Sequence, residues 1–89
     1  MFCIGGIVIS KRGRDKGKSF VIVALEDAYV WLVDGQLRRI AKPKKKKTMH
    51  VQITNTVSGE IQAEVLRGGC LLDADFRKVL SRFQRHEEV

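Results

Sequence analysis

Five cations fall within one short stretch of this chain: Lys11, Arg12, Arg14, Lys16 and Lys18, with Asp15 as the only acid among them. Gly13 and Gly17 stand in the same stretch, as they would where a turn needs positive φ or where a backbone must come close to another chain. The chemistry these residues offer is anion binding, since guanidinium groups grip phosphate bidentately and ammonium groups attract it as point charges. A second cluster, Lys42, Lys44, Lys45, Lys46 and Lys47, surrounds Pro43, with Arg38 and Arg39 before it and His50 after it. As phosphate ligands these lysines would track a backbone without reading sequence. A solvated loop and a nuclear-import signal are the alternatives for that run. Arg38 and Arg39, adjacent on a strand, would point to opposite faces, so at most one would share the phosphate side. His50 suits a phosphate or ribose contact, or an inert surface position.

Other chemistries find little support. The segment from Gly13 to Ser19, GRDKGKS, resembles a phosphate-binding P-loop, but it has one residue too few between its glycines. It also leads into β-branched residues, where a P-loop opens a helix. Ser10 and Ser19 have no nearby histidine to act as base. The acidic pairs Glu26-Asp27 and Glu87-Glu88 fall at a turn and a terminus. His50, His86, Cys3 and Cys70 have no zinc-like spacing, and the two thiols read as reduced, half-buried cysteines, with an intramolecular disulfide as the alternative. The sequence therefore predicts a binding protein, with no catalytic residues, metal, cofactor or small-molecule substrate.

Eighty-nine residues suffice for one domain with a small core. No segment has the roughly 18 consecutive apolar residues of a membrane span, and the apolar start reads as a first strand, not as a signal peptide. A cytoplasmic protein is expected. The net charge of +7 is unevenly placed. Residues 1–57 carry 12 Lys and Arg against 4 Asp and Glu, whereas residues 58–89 carry 5 against 6. Charge confined to one part points to a binding face.

The elements that must position these cations follow from periodicity. Strands are expected over residues 4–10, 19–25, 28–33, 36–41 and 49–54, with a turn at Glu26-Asp27. Asp34-Gly35 signals a type I′ hairpin turn, and residues 42–48 read as a loop because Pro43 cannot donate to a ladder. In the fifth strand Met49, Val51 and Ile53 alternate with His50, Gln52 and Thr54, so the first three should face the core. Tyr29 and Trp31 share one face of the third strand. They are candidates for base stacking, although a domain this small is expected to use its only tryptophan in the core. Residues 60–66 lean to helix, ended by Gly68-Gly69. In residues 73–84, Phe76, Val79, Leu80 and Phe83 form an amphipathic stripe, with Asp73 as the N-cap. The expected architecture is one structural domain, mostly β. Residues 1–57 form a five-stranded barrel, and residues 58–89 a helical extension packed on it.

The stretch from Gly6 to Val23, GIVISKRGRDKGKSFVIV, looks like a KOW motif with Gly17 as its glycine. Trp31-Leu-Val-Asp-Gly35, Leu37-Arg-Arg-Ile40, Pro43 to Lys47 and Met49-His-Val51 follow in matching order. Over about residues 4–54 the chain resembles KOW-domain RNA-binding proteins of the ribosomal protein L-fourteen-e type, including their short bacterial relatives. The resemblance implies a small SH3-like barrel that binds structured RNA, with ribosomal RNA or an assembling ribosome as partner and ribosomal or translation proteins nearby. A protein-interaction SH3-like module on the translation or transcription machinery is the alternative, and duplex DNA a third partner.

Overall fold

A computed structural model describes residues 1–87; Glu88, half of the second acidic pair, lies outside them. Five strands form one antiparallel sheet: β1 (Gly6–Ser10), β2 (Ser19–Glu26), β3 (Tyr29–Val33), β4 (Lys44–Lys47) and β5 (Val51–Val57), in the order β4-β3-β2-β1-β5. A single 3-10 turn, Thr48–His50, links β4 to β5. Two helices follow, α1 (Gly59–Leu66) and α2 (Asp73–Glu87). No helix among the described residues is long and apolar enough to cross a membrane.

Both faces of the central strands are apolar, which explains their unbroken Ile-Val-Phe runs. Ile7 pairs with Val21 and Val8 with Phe20, so successive residues serve opposite sides of the sheet. Ile7, Val21 and Val33 pack with Ile61 of α1 and with Phe76, Val79, Leu80 and Phe83 of α2. The expected helical stripe is therefore buried against the sheet. Val8, Phe20, Ile22, Val30, Leu32 and Val51 form a second cluster that takes no residue from either helix. β2 carries a register shift between Ile22 and Ala24, and β1 another against β5 between Gly6 and Val8. Such irregularities increase local twist.

The fourth strand is not where the sequence placed it. Residues 36–41 form no strand, because backbone donors there go to side chains of the loop and of α2. Asp34 Oδ1 accepts from the Gln36 and Arg38 amides, the Arg38 carbonyl accepts from the Asp34 and Gly35 amides, and Asp73 Oδ1 takes the Ile40 amide. Asp34 itself lacks positive φ, so Asp34-Gly35 is an Asx turn and not a type I′ hairpin. Gly35 has φ +80°, and a Cβ there would collide with the Asp73 carbonyl oxygen. The loop thus docks on α2 through a contact only glycine permits. The supposed lysine loop is the fourth strand: Pro43 precedes the ladder and does not interrupt it. Tyr29 pairs with Lys47, Val30 with Lys46, Trp31 with Lys45 and Leu32 with Lys44. Four lysines on an edge strand also discourage pairing with another chain.

Smaller corrections follow from similar causes. The β2–β3 turn is centred one residue later, with Glu26 paired to Tyr29 and Asp27 at φ +46°. Met49 belongs to the 3-10 turn, and of the expected apolar face of the fifth strand only Val51 is buried; Met49 and Ile53 are exposed. Asp73 does not cap its own helix but accepts from Ile40, while Asp75 Oδ2 accepts from the Leu72 amide. α1 is a helix, with the Ser58 side chain accepting from the Ile61 amide at its start.

Candidate functional site

The β1–β2 connection is a rigid, charged knob. Gly17 donates to the Ser10 carbonyl at 2.8 Å, Ser10 N to the Lys18 carbonyl, Lys16 N to Gly13 and Lys18 N to Asp15. Gly13 and Gly17 both adopt φ +87°, a conformation that costs an L-residue about 1 kcal/mol or more. A Cβ on Gly17 would meet nothing within 4 Å, so the turn alone accounts for that glycine. Lys11, Arg12, Arg14, Lys16 and Lys18 are all exposed.

Lys46 explains why this knob can be so basic. Its ammonium is buried and donates to Asp15 Oδ1, Ser10 Oγ and the Arg12 carbonyl, each at 2.7 Å. Those three bonds exhaust its donors. Lys46, which the sequence assigned to anion binding, therefore has no donor left for a phosphate. The correction follows from strand geometry. With β4 paired, Lys44 and Lys46 fall on the side of Leu32 and Val30, and Lys45 and Lys47 on the other. The same pair occupies Asp15, the only acid in the knob, and leaves its five cations without an acidic partner among the described residues. Partial burial by itself works to raise the Asp15 carboxyl. Hydrogen bonds from Lys46 and Ser10, with the charges of Lys46 and Lys44, outweigh that effect and hold it below its ordinary value.

Ser10 beside Lys46 has the outward look of a nucleophile and its base. Ser10 is only 1% exposed, however, and an ammonium with three acceptors has no lone pair to take its proton. The arrangement is structural.

Two surfaces flank β4. On one side, Arg14, Lys18, Arg38 and Lys44 line a cleft of about 380 Å³ whose walls include Phe20 and Leu37. The loop of residues 34–43 brings Arg38 and Leu37 there, a placement that a strand over residues 36–41 would not have given. Arg39 and Lys42 are exposed on the same loop. On the other side, Lys45 Nζ stands 4.4 Å from the centre of the Tyr29 ring and 5.2 Å from that of Trp31. Both rings are half-buried, so Trp31 belongs to a surface and not to the core. Lys47 is exposed on this face opposite Tyr29. His50 is half-buried, and its carbonyl accepts from the Lys11 amide at 2.8 Å, which ties the start of the knob to the 3-10 turn.

Sequence reasoning singled out the cations but missed Leu37, Phe20, Ser10 and the role of Asp15. An acid alone among five cations was the available signal for the last of these. No family model and no curated protein matches the chain.

Proposed function

We propose that the protein is an RNA-binding module that docks on the phosphate backbone of structured RNA. One observation carries the reading: five exposed cations stand on a hydrogen-bonded knob whose only acid is already paired with buried Lys46. Preorganised charge loses little entropy on binding. Arg38, Lys44, Lys45 and Lys47 continue the basic surface along β4, and Tyr29 and Trp31 supply ring faces on which an unpaired base can stack. Displacement of Lys45 from those rings would leave its ammonium beside the phosphate of the stacked nucleotide.

The same proposal takes the sheet as an SH3-like barrel of the KOW type. The strand order, the register shift in β2 and the 3-10 turn between the last two strands support it. Lys46 adds a physical argument. In a flat sheet β4 and β1 would lie three strand spacings, about 14 Å, apart. Lys46 nevertheless reaches Ser10 at 2.7 Å, which a curled sheet accounts for. The second apolar cluster, buried without help from a helix, fits the same curl. With the resemblance over residues 4–54, ribosomal RNA in the cytoplasm is the partner we assign.

The test replaces Arg12, Arg14 and Lys18 together by alanine. All three are exposed, so the variant should fold, with its thermal transition close to that of the parent. Structured RNA should bind the parent and bind the triple variant at least tenfold more weakly. Equal binding by the two proteins would remove the knob from the interface.

A further inference from the structure

The cleft between the knob and the 34–43 loop combines features that phosphate binding alone does not require. Five cations line it; Lys46 is already bonded to Asp15, which leaves Arg14, Lys18, Arg38 and Lys44, and its volume of about 380 Å³ is that of a small-ligand site, well beyond a bare phosphate. Leu37 gives it apolar wall, whereas Phe20, also in its lining, is 1% exposed and belongs to the second core cluster. Leu37 is 71% exposed, although the loop that carries it is firmly tied. Asp34 Oδ1 holds the amides on either side of Leu37 at 2.9 and 2.8 Å, and Arg77 donates to the Gly35 carbonyl at 2.6 Å. A lone exposed leucine is ordinary. A leucine held rigidly in solvent at the edge of a basic cleft whose one carboxylate is already paired is a contact surface awaiting a flat apolar group with anionic neighbours. Asp15, the only carboxylate lining the cleft, is already bonded to Lys46.

We infer that this cleft receives one extruded nucleotide of the bound RNA. Its base lies against Leu37, and its flanking phosphates lie on Arg14, Lys18, Arg38 and Lys44. The inference rests on the RNA-binding reading above and adds the feature recognised: an unpaired nucleotide in a paired context. Extruding a base costs least where it is already unpaired, so a bulge is selected over continuous duplex without readout of base identity.

The experiment compares three RNA hairpins of the same stem: fully paired, with a single-nucleotide bulge, and with that bulge made abasic so that its phosphates remain. The full chain and Leu37→Ser are titrated with each at several salt concentrations. The parent should prefer the bulged hairpin by about five- to tenfold over both others. Leu37→Ser should lose that preference while keeping the parent's salt slope, because an apolar contact releases no counterions. Its exposure means that folding should be unaffected, which circular dichroism checks. Equal affinity for paired and bulged hairpins would overturn the inference and leave RNA binding standing. So would an undiminished preference for the abasic bulge, or one in Leu37→Ser. Failure to bind any of the three would overturn both readings.

Discussion

Lys46 Nζ lies 2.7 Å from Asp15 Oδ1, and this ion pair fastens the edge strand β4 to the tip of the β1–β2 hairpin. The side chains are 9% and 14% exposed, so the contact is largely withdrawn from water. Surface pairs contribute little, but breaking a buried pair leaves one charge desolvated and unpaired. The basic knob and the basic strand are in this sense one structure, held by Lys46 of the strand and Asp15 of the knob.

Lys46→Ala should destabilise the fold by about 2–4 kcal/mol, since it strands Asp15 and removes donors from Ser10 and Arg12. Lys47→Ala, on the exposed side of the same strand, should stay within about 0.5 kcal/mol of the parent. Chemical denaturation of the two variants measures the contrast. Equal effects would mean that β4 does not hold the register described.

Asp15 also sets an acid limit. Its carboxyl is held below its ordinary value, so the folded state binds its proton less readily than the unfolded chain. The stability this confers is complete above the unfolded carboxylate range, and it is lost as pH falls through the folded value, below about pH 4. Asp15→Asn should therefore be less stable than the parent at neutral pH, with the gap narrowing below about pH 4. A gap independent of pH would remove Asp15 from the ionised pair.

Two glycines with the same sign of φ should respond differently. Gly17→Ala meets no neighbour and should cost about 1 kcal/mol of backbone strain. Gly35→Ala adds a collision with the Asp73 carbonyl and the Arg77 side chain, and should cost at least twice as much. It should also loosen Leu37 and Arg38. Thermal unfolding of both variants tests the ordering. If RNA affinity in folded Gly17→Ala drops beyond what stability explains, the backbone at the tip also approaches phosphate.

Leu80→Ala should cost about 2–4 kcal/mol, because Leu80 is 5% exposed in the cluster joining α2 to the sheet. In a chain this short that is a large part of total stability. Its denaturation midpoint measures the effect. A loss under 1 kcal/mol would make α2 an accessory to the sheet.

Periodicity located β1, β2, β3 and α2 because their apolar spacing is dictated by burial on both sheet faces or along one helix stripe. It failed at residues 34–47, where tertiary partners decide. Asp34 and Asp73 capture amides that a strand would have used, and no local signal in Leu37-Arg38-Arg39-Ile40 reveals an acid 33 residues later that binds the Ile40 amide. Four consecutive lysines carry no period at all; only the pairing of β4 with β3 tells which lysine turns inward. Trp31 was misjudged for the opposite reason. Its size argued for the core, but the alternation of β3 sends Val30 and Leu32 inward and leaves Trp31 beneath Lys45.

The dependence of RNA affinity on salt tests the central claim most directly. Each phosphate neutralised releases counterions and contributes about −0.7 to −0.9 to the slope of log affinity against log salt. With the knob and β4 both engaged, the full chain on a structured RNA should give a slope of about −3 to −6, and most of its affinity should be gone by a few hundred millimolar salt. A slope near zero, with affinity unchanged across that range, would contradict the account.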